Sequence, residues 1–239
     1  MAELLETPVK SADEKSADLN PLTLRFNEAI WYNPGVEIIV GGVGGIGSYL
    51  SFLLARQEAK LYLYDFDTIE THNLGGQLYK TTDIGKLKSE SIKNTIKEFS
   101  ANDFVTCMGK FEKDSMIGDI VFSGFDNMTA RKLMFEAWKN NPDRKIFIDG
   151  RMLAEQGQIY CVVPGREEDY EKTLFGDEEV QEQPCNYKAT SYCGAIIAGL
   201  MVSCYNNYVT NEKLNAGVRE VPFKMIYTLE LLDFKTYEI

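Results

Sequence analysis

Four glycines crowd the stretch Gly42-Val43-Gly44-Gly45-Ile46-Gly47, which follows the β-branched run Val36-Glu37-Ile38-Ile39-Val40 and precedes residues 48–55, apolar at helical spacing. A strand that turns through glycines into a helix gathers backbone N–H groups and the positive end of the helix dipole at one point, an arrangement suited to phosphate. Gly42, Gly44, Gly45 and Gly47 are therefore candidate nucleotide-binding positions. Asp65 closes the next apolar run 23 residues after Gly42, near the offset of about 20 at which a carboxylate meets a ribose hydroxyl. Together they point to a nucleoside carrying phosphates and leave ATP and NAD both open. The plainer alternative is a turn that only packs helix on strand, with Asp65 a solvated strand end.

The elements needed to position these residues are legible along the chain. Strands are expected at 36–40, 61–65, 104–108, 119–123 and 145–149, and helices at 48–55, 86–99 and 129–139. Strands alternating with helices imply a Rossmann-like, doubly wound α/β fold with a mostly parallel sheet. After Gly150 the pattern changes to a strand at 158–163, an acidic loop at 166–183, an apolar helix at 195–208 and an alternating segment at 223–237. The last reads as antiparallel C-terminal strands. Residues 1–20, which lack aromatic side chains, read as a flexible tail, and 21–239 as a single domain.

Composition excludes several classes. A net charge of −11 in 239 residues, with no basic stripe, argues against nucleic acid as a partner. The apolar helix, at about fourteen residues, is shorter than the ~20 that a bilayer requires, so no membrane span is expected. Five cysteines without a regular framework or a Cys-x-x-Cys pair indicate a reducing, cytoplasmic setting and no zinc. His72, the only histidine, reads as a polar loop residue.

Further segments narrow the nucleotide. The glycine turn, then Leu63-Tyr64-Asp65-Phe66-Asp67, Asn73-Leu74, Asp83-Ile84-Gly85-Lys86-Leu87-Lys88 and Phe125-Asp126-Asn127-Met128-Thr129-Ala130-Arg131 resemble, in order and spacing, the core of the ThiF/MoeB/HesA superfamily of ubiquitin-activating-like adenylyltransferases. The similarity runs over roughly residues 25 to 163. It implies ATP with Mg²⁺, Asp65 on the ribose, Asn73 and Lys88 on the phosphates, and Asp126 on the metal. It also implies adenylation of a small protein or peptide with a free C-terminal carboxylate, such as a ubiquitin-like or sulfur-carrier protein, by a homodimer. The chemistry agrees, because charge building on phosphate oxygens needs a cation and a metal ion beside it. From the residues alone, Lys88 could be a solvated lysine and Asp126 a helix cap.

The match has two gaps. Gly76 and Glu28 stand where the family carries arginines that contact phosphate, and an arginine in such a place contributes on the order of 10³-fold. Arg131 and Arg151 are the candidate substitutes, with Arg151 preferred because it follows the expected end of the strand at 145–149. Without a substitute the chain would be a catalytically quiet nucleotide-binding module; an NAD-dependent oxidoreductase is the remaining alternative. Pro184-Cys185-Asn186 is similar to the segment that bears a thiol nucleophile in ubiquitin-type members, while Cys193 and Cys204 read as small buried residues.

Overall fold

Ile38, Ile39 and Val40 are apolar on both faces of a strand and so can only lie in the middle of a sheet. In the computed structural model, which describes residues 21–100, 103–176 and 190–238, they form β1 (Glu37–Gly41) and are at most 2% exposed. Ile38 and Val40 enter one core and Ile39 the other, as the two-residue period of a strand requires. The other strands are β2 (Lys60–Tyr64), β3 (Val105–Gly109), β4 (Ile120–Ser123), β5 (Ile146–Leu153), β6 (Gln156–Val162), β7 (Lys224–Thr228) and β8 (Asp233–Tyr237). The helices are α1 (Gly47–Ala55), α2 (Lys88–Ser100), α3 (Met128–Lys139), α4 (Glu167–Glu171) and α5 (Ser191–Leu214).

The strands form one sheet in the order β3-β2-β1-β4-β5-β6-β7-β8. The first five run parallel and the last three add antiparallel, as expected of a Rossmann-like sheet with antiparallel C-terminal strands. Helices α1, α2 and α5 bury Leu50, Leu54, Ile92, Ile96, Ile197 and Met201 on one face. On the other face α3 and α4 bury Met134, Phe135, Trp138 and Tyr170. Strand order reverses between β1 and β4, and the crevice beyond the carboxyl ends of such strands is where ligands of open α/β sheets bind.

Three elements differ from the sequence expectation. β5 does not stop at Asp149 but continues to Leu153 and returns as β6 through the two residues Ala154-Glu155, with Ala154 at φ 55°. Tight hairpins are recognised by Asn-Gly or Asp-Gly, so Ala-Glu gave no local signal. The acidic stretch expected as loop contains α4, anchored by the fully buried Tyr170; residues 177–183 of that stretch lie outside the described residues. α5 is 24 residues long, running from Ser191 to Leu214 where 195–208 was expected, and the polar Asn206 and Asn207, which interrupt its apolar pattern, do not end it. Asn207 instead donates to the Glu220 carbonyl at 2.8 Å, and the helix ends where Asn215 turns left-handed at φ 48°. Among the described residues no helix is long and apolar enough to cross a membrane.

α5 reaches the glycine turn at its N-terminal end. A Cβ on Gly194 would lie 2.3 Å from the Gly45 carbonyl oxygen, whereas one on Gly199 would meet nothing within 4 Å. Two glycines of one helix should therefore respond in opposite directions. Gly194→Val is expected to destabilise by about 1–3 kcal/mol through overpacking, while Gly199→Ala should stabilise by about 0.5–1 kcal/mol by improving helix propensity. Urea-unfolding midpoints of the two variants check the pair.

Candidate functional site

The glycine turn is held by contacts that admit no side chain. Gly42 has φ +77°, and a Cβ on Gly47 would lie 1.8 Å from the Gly42 carbonyl oxygen. Gly44 is different: the nearest atom to a Cβ there is Gln77 Nε2 at 3.9 Å. Its bareness has no explanation in internal packing and leaves the backbone open to close approach. α1 begins here with Ile46 as its N-cap and no side-chain cap; the Ser48 N–H donates to the Gly44 carbonyl at 3.1 Å, and the turn lies at the positive end of the helix.

Strand pairing brings the other residues to this edge. Gly41 pairs with Tyr64 on one side and Ser123 on the other, so the segments beginning at Asp65 and Gly124 flank the turn. Val43 is fixed through both its polar groups: its N–H donates to Asp65 Oδ2 at 2.8 Å, and its carbonyl accepts from the Tyr79 hydroxyl. The Asp67 N–H donates to the other Asp65 oxygen at 2.9 Å. Burial pushes the Asp65 carboxyl up from its ordinary range, against the pull of those two N–H donors and Lys88. Asp65 thus ties the glycine turn to β2 and retains lone pairs for a further donor. Burial, then Asp65, Asp67 and Asp83, also push the Tyr79 phenol upward, so it remains a neutral donor.

Lys88 is not a solvated lysine. It is 8% exposed at the start of α2, with its ammonium 2.8 Å from Asp67 Oδ2. Asp67 is thus a site residue that sequence reasoning missed; its signal was the Asp-Phe-Asp spacing at the end of β2. The Lys88 N–H also donates to the Asp67 carbonyl at 2.9 Å, which fixes the pair through backbone as well as side chain. Asn73 is buried, and its side-chain oxygen accepts the Glu70 N–H at 2.9 Å, shaping the 3₁₀ turn Thr71–Gly75. The Leu78 N–H after that turn donates to Ser48 Oγ at 3.0 Å, so the segment lies against α1.

Asp126 is exposed beyond β4, and its recorded side-chain contact is a long 3.4 Å approach from Asn127 Nδ2. The cap of α3 is Asn127, whose oxygen accepts the Ala130 N–H at 2.8 Å, so Asp126 does not take that role. His72 is exposed beside Glu70, and Cys193 and Cys204 are buried, all as expected. Cys185 lies outside the described residues, and Glu28 is exposed.

The two substitute arginines require correction. Asp149 is fully buried and accepts from Arg131 Nε on one oxygen and Arg151 Nε on the other, each at 2.7 Å. Arg131 also donates to the Phe125 and Gly150 carbonyls. Arg151 donates to the Thr173 carbonyl and hydroxyl, both at 2.9 Å, with its guanidinium 4.4 Å above the Tyr160 ring. Because β5 runs on past Asp149, Arg151 sits within a ladder opposite Gln158 instead of at a free strand end. Both guanidinium groups serve a buried ion cluster, and neither is available as a phosphate clamp. The cluster nevertheless acts on the site, since Arg131 holds the carbonyl of the residue before Asp126.

A glycine turn at a topological switch point, a strand-end carboxylate and a paired lysine are an arrangement suited to a nucleotide in an open α/β sheet. The ThiF family model matches residues 35–234, and the chain belongs to that family. Curated relatives include the ubiquitin-like modifier-activating enzyme 5 of Oryza sativa subsp. japonica, 27% identical over 149 residues, covering 54% of this chain and 35% of the relative. The same enzyme of Culex quinquefasciatus is 28% identical over 200 residues, covering 70% and 48%. The chain thus spans less than half of the length of these relatives. Among solved structures, E. coli MccB with ATP aligns with TM-score 0.64 at 15% identity, covering 85% of this chain and 63% of that one. Selenomethionine PaaA aligns with TM-score 0.63 at 20% identity, covering 85% and 64%. These likenesses establish the fold.

The ion cluster gives a pH-dependent test. Burial alone would raise the Asp149 carboxyl, but Arg131 and then Arg151 overcome it and hold the group below the usual carboxylate range. With its folded pKa depressed, Asp149 contributes stability above its unfolded pKa of about 4, and that contribution is lost as pH falls through the folded value. Asp149→Asn should cost about 3–5 kcal/mol near neutral pH by leaving two buried guanidinium groups underpaired. The gap from the parent protein should narrow below about pH 4; urea midpoints across that range measure it.

Proposed function

We propose that this chain is an ATP-dependent adenylyltransferase that activates the C-terminal carboxylate of a small ubiquitin-like or sulfur-carrier protein or peptide. The observation that carries the reading is Lys88, buried at the edge of the sheet where the glycine turn, Asp65 and the Asp126 segment meet. A buried ammonium paired with the half-exposed Asp67 is a cation positioned in advance. In support, the curated relatives are activating enzymes of ubiquitin-like modifiers, and MccB has been crystallised with ATP and with the peptide MccA.

The residues fit the nucleotide. Gly44 leaves room for a phosphate against the backbone, the start of α1 has no side-chain cap, and Asp65 keeps lone pairs that would accept a ribose hydroxyl. In the reaction a substrate carboxylate oxygen bonds to the α-phosphorus while the bond from that phosphorus to the pyrophosphate oxygen breaks, giving an acyl-adenylate. Lys88 neutralises negative charge on the phosphate oxygens as it redistributes, and Asn73 shapes the adjoining turn. Among the described residues no group of three or more His, Cys, Asp or Glu is placed to hold a metal ion. The exposed Asp126 suits Mg²⁺, which typically takes one or two carboxylates and completes its shell with phosphate and water. Bound there, Mg²⁺ would supply charge neutralisation for the departing pyrophosphate.

The proposal includes a homodimer in a cytoplasmic setting. α5 carries no charged residue from Ser191 to Asn211, yet exposes Tyr192 and Ile196, an apolar face suited to a second copy. Cys185 is the proposed nucleophile for any onward transfer to a thiol. One set of observations favours a second reading, a nucleotide-binding module without catalysis: Gly76 has no side chain, Glu28 is exposed, and Arg131 and Arg151 are committed to Asp149.

ATP–pyrophosphate exchange with Gly-Gly-ended carrier proteins separates the two. Adenylation predicts exchange that Asp126→Ala abolishes and Lys88→Ala lowers by about 10²–10³-fold. ATP binding without exchange for any carrier would establish the quiet module. Asp67→Asn, which frees Lys88 from its carboxylate, should alter KM for ATP and leave the fold intact by circular dichroism.

A further inference from the structure

The heavy atom nearest to a Cβ placed on Gly44 is the amide nitrogen of Gln77, Nε2, at 3.9 Å. The Gln77 side chain thus stands beside the point of the glycine turn where the backbone is open to a ligand. The segment that carries it is fixed without the help of that side chain. The Gln77 N–H donates to the Asn73 carbonyl at 3.0 Å, and its own carbonyl accepts the Tyr79 N–H at 2.9 Å. Next in the chain, the Leu78 N–H is held by Ser48 Oγ of α1 and the Tyr79 hydroxyl by the Val43 carbonyl. α1 and the glycine turn therefore set the place of Gln77 themselves.

The amide has no hydrogen-bonding role within the described residues. Gln77 Oε1 is buried there without a partner. Nε2 makes no hydrogen bond there either, yet is not among the buried unpartnered atoms, so the donor end of the amide is open. A buried amide oxygen without a donor costs free energy that an apolar side chain of the same shape would avoid. Packing alone thus gives no reason for a glutamine at 77. What the amide adds is a nitrogen with two N–H donors beside the bare Gly44.

We propose that Gln77 is a phosphate-binding residue, its Nε2 donating to an oxygen of a nucleoside triphosphate seated on Gly44. The inference rests on the reading of the glycine turn as a nucleotide site and adds a residue to that site. Lys88 supplies charge at this edge, whereas the amide supplies direction. A hydrogen bond from it to an ionised oxygen is stronger than one between neutral groups.

The test is calorimetry on the full chain with Mg-ATP, saturation-transfer NMR with adenosine, which lacks the phosphates, and thermal melting without ligand. Gln77→Met keeps the length of the side chain and removes the amide. It should melt at or above the temperature of the parent protein, because the buried acceptor without a donor is gone. It should bind ATP about tenfold or more weakly and adenosine as the parent does. Gly44→Ala, whose Cβ would meet nothing closer than 3.9 Å, should also fold and should weaken ATP but not adenosine. A parent protein that binds no ATP overturns the nucleotide reading and this inference with it. ATP bound equally by the parent and Gln77→Met overturns the role of Gln77 alone. A lower melting temperature in Gln77→Met, or equal losses of ATP and adenosine, would assign the side chain to holding its loop and overturn that role as well.

Discussion

One buried carboxylate organises the middle of this molecule. Asp149 is removed from water and shared by two guanidinium groups, Arg131 from α3 and Arg151 from β5. A carboxylate in that position is tolerable only because both oxygens meet a cation with direct hydrogen bonds. The same two arginines then reach outward, Arg131 to the Phe125 carbonyl and Arg151 to Thr173 beyond α4. The segment bearing Asp126, the long β5 and the α4 region are consequently fixed to one point.

The nucleotide edge is built on a second constraint, the close approach of backbones. Gly42 and Gly47 nearly touch, Gly45 meets Gly194 of α5, and Val43 is held at both of its polar groups by Asp65 and Tyr79. In this turn Gly44 is different, for a Cβ there would meet nothing closer than 3.9 Å. Next to it, Lys88 spends its charge on Asp67, so a phosphate must compete with that carboxylate or share the ammonium with it. The pair both places the cation and moderates its pull.

How much of this was legible depended on the range of the interaction concerned. Local signals identified the strand, glycine turn and helix at residues 36–55, the parallel alternation that follows and the antiparallel end, because periodicity and glycine geometry belong to adjacent residues. The hairpin at Ala154-Glu155 was missed because its conformation is imposed by the β5–β6 ladder and not by its own residue types. The sequence marks α5 only over its apolar stretch 195–208, whereas the helix runs from Ser191 to Leu214, its far part held by contacts such as that of Asn207 with the Glu220 carbonyl, which only the folded chain supplies.

The sequence by itself determined the fold class and the family, and it singled out Gly42, Gly44, Gly45, Gly47, Asp65, Asn73, Lys88 and Asp126 as candidates, since residue type and spacing suffice for that. Only the tertiary structure decided what the charged groups are free to do. Arg131, Arg151, Lys88 and Asp126 are all plausible site residues along the chain, yet two are consumed by Asp149, one is paired with Asp67, and one stands open. Availability of a charge is set by partners that lie close in space but up to 21 residues away in sequence, and a linear pattern does not carry that information.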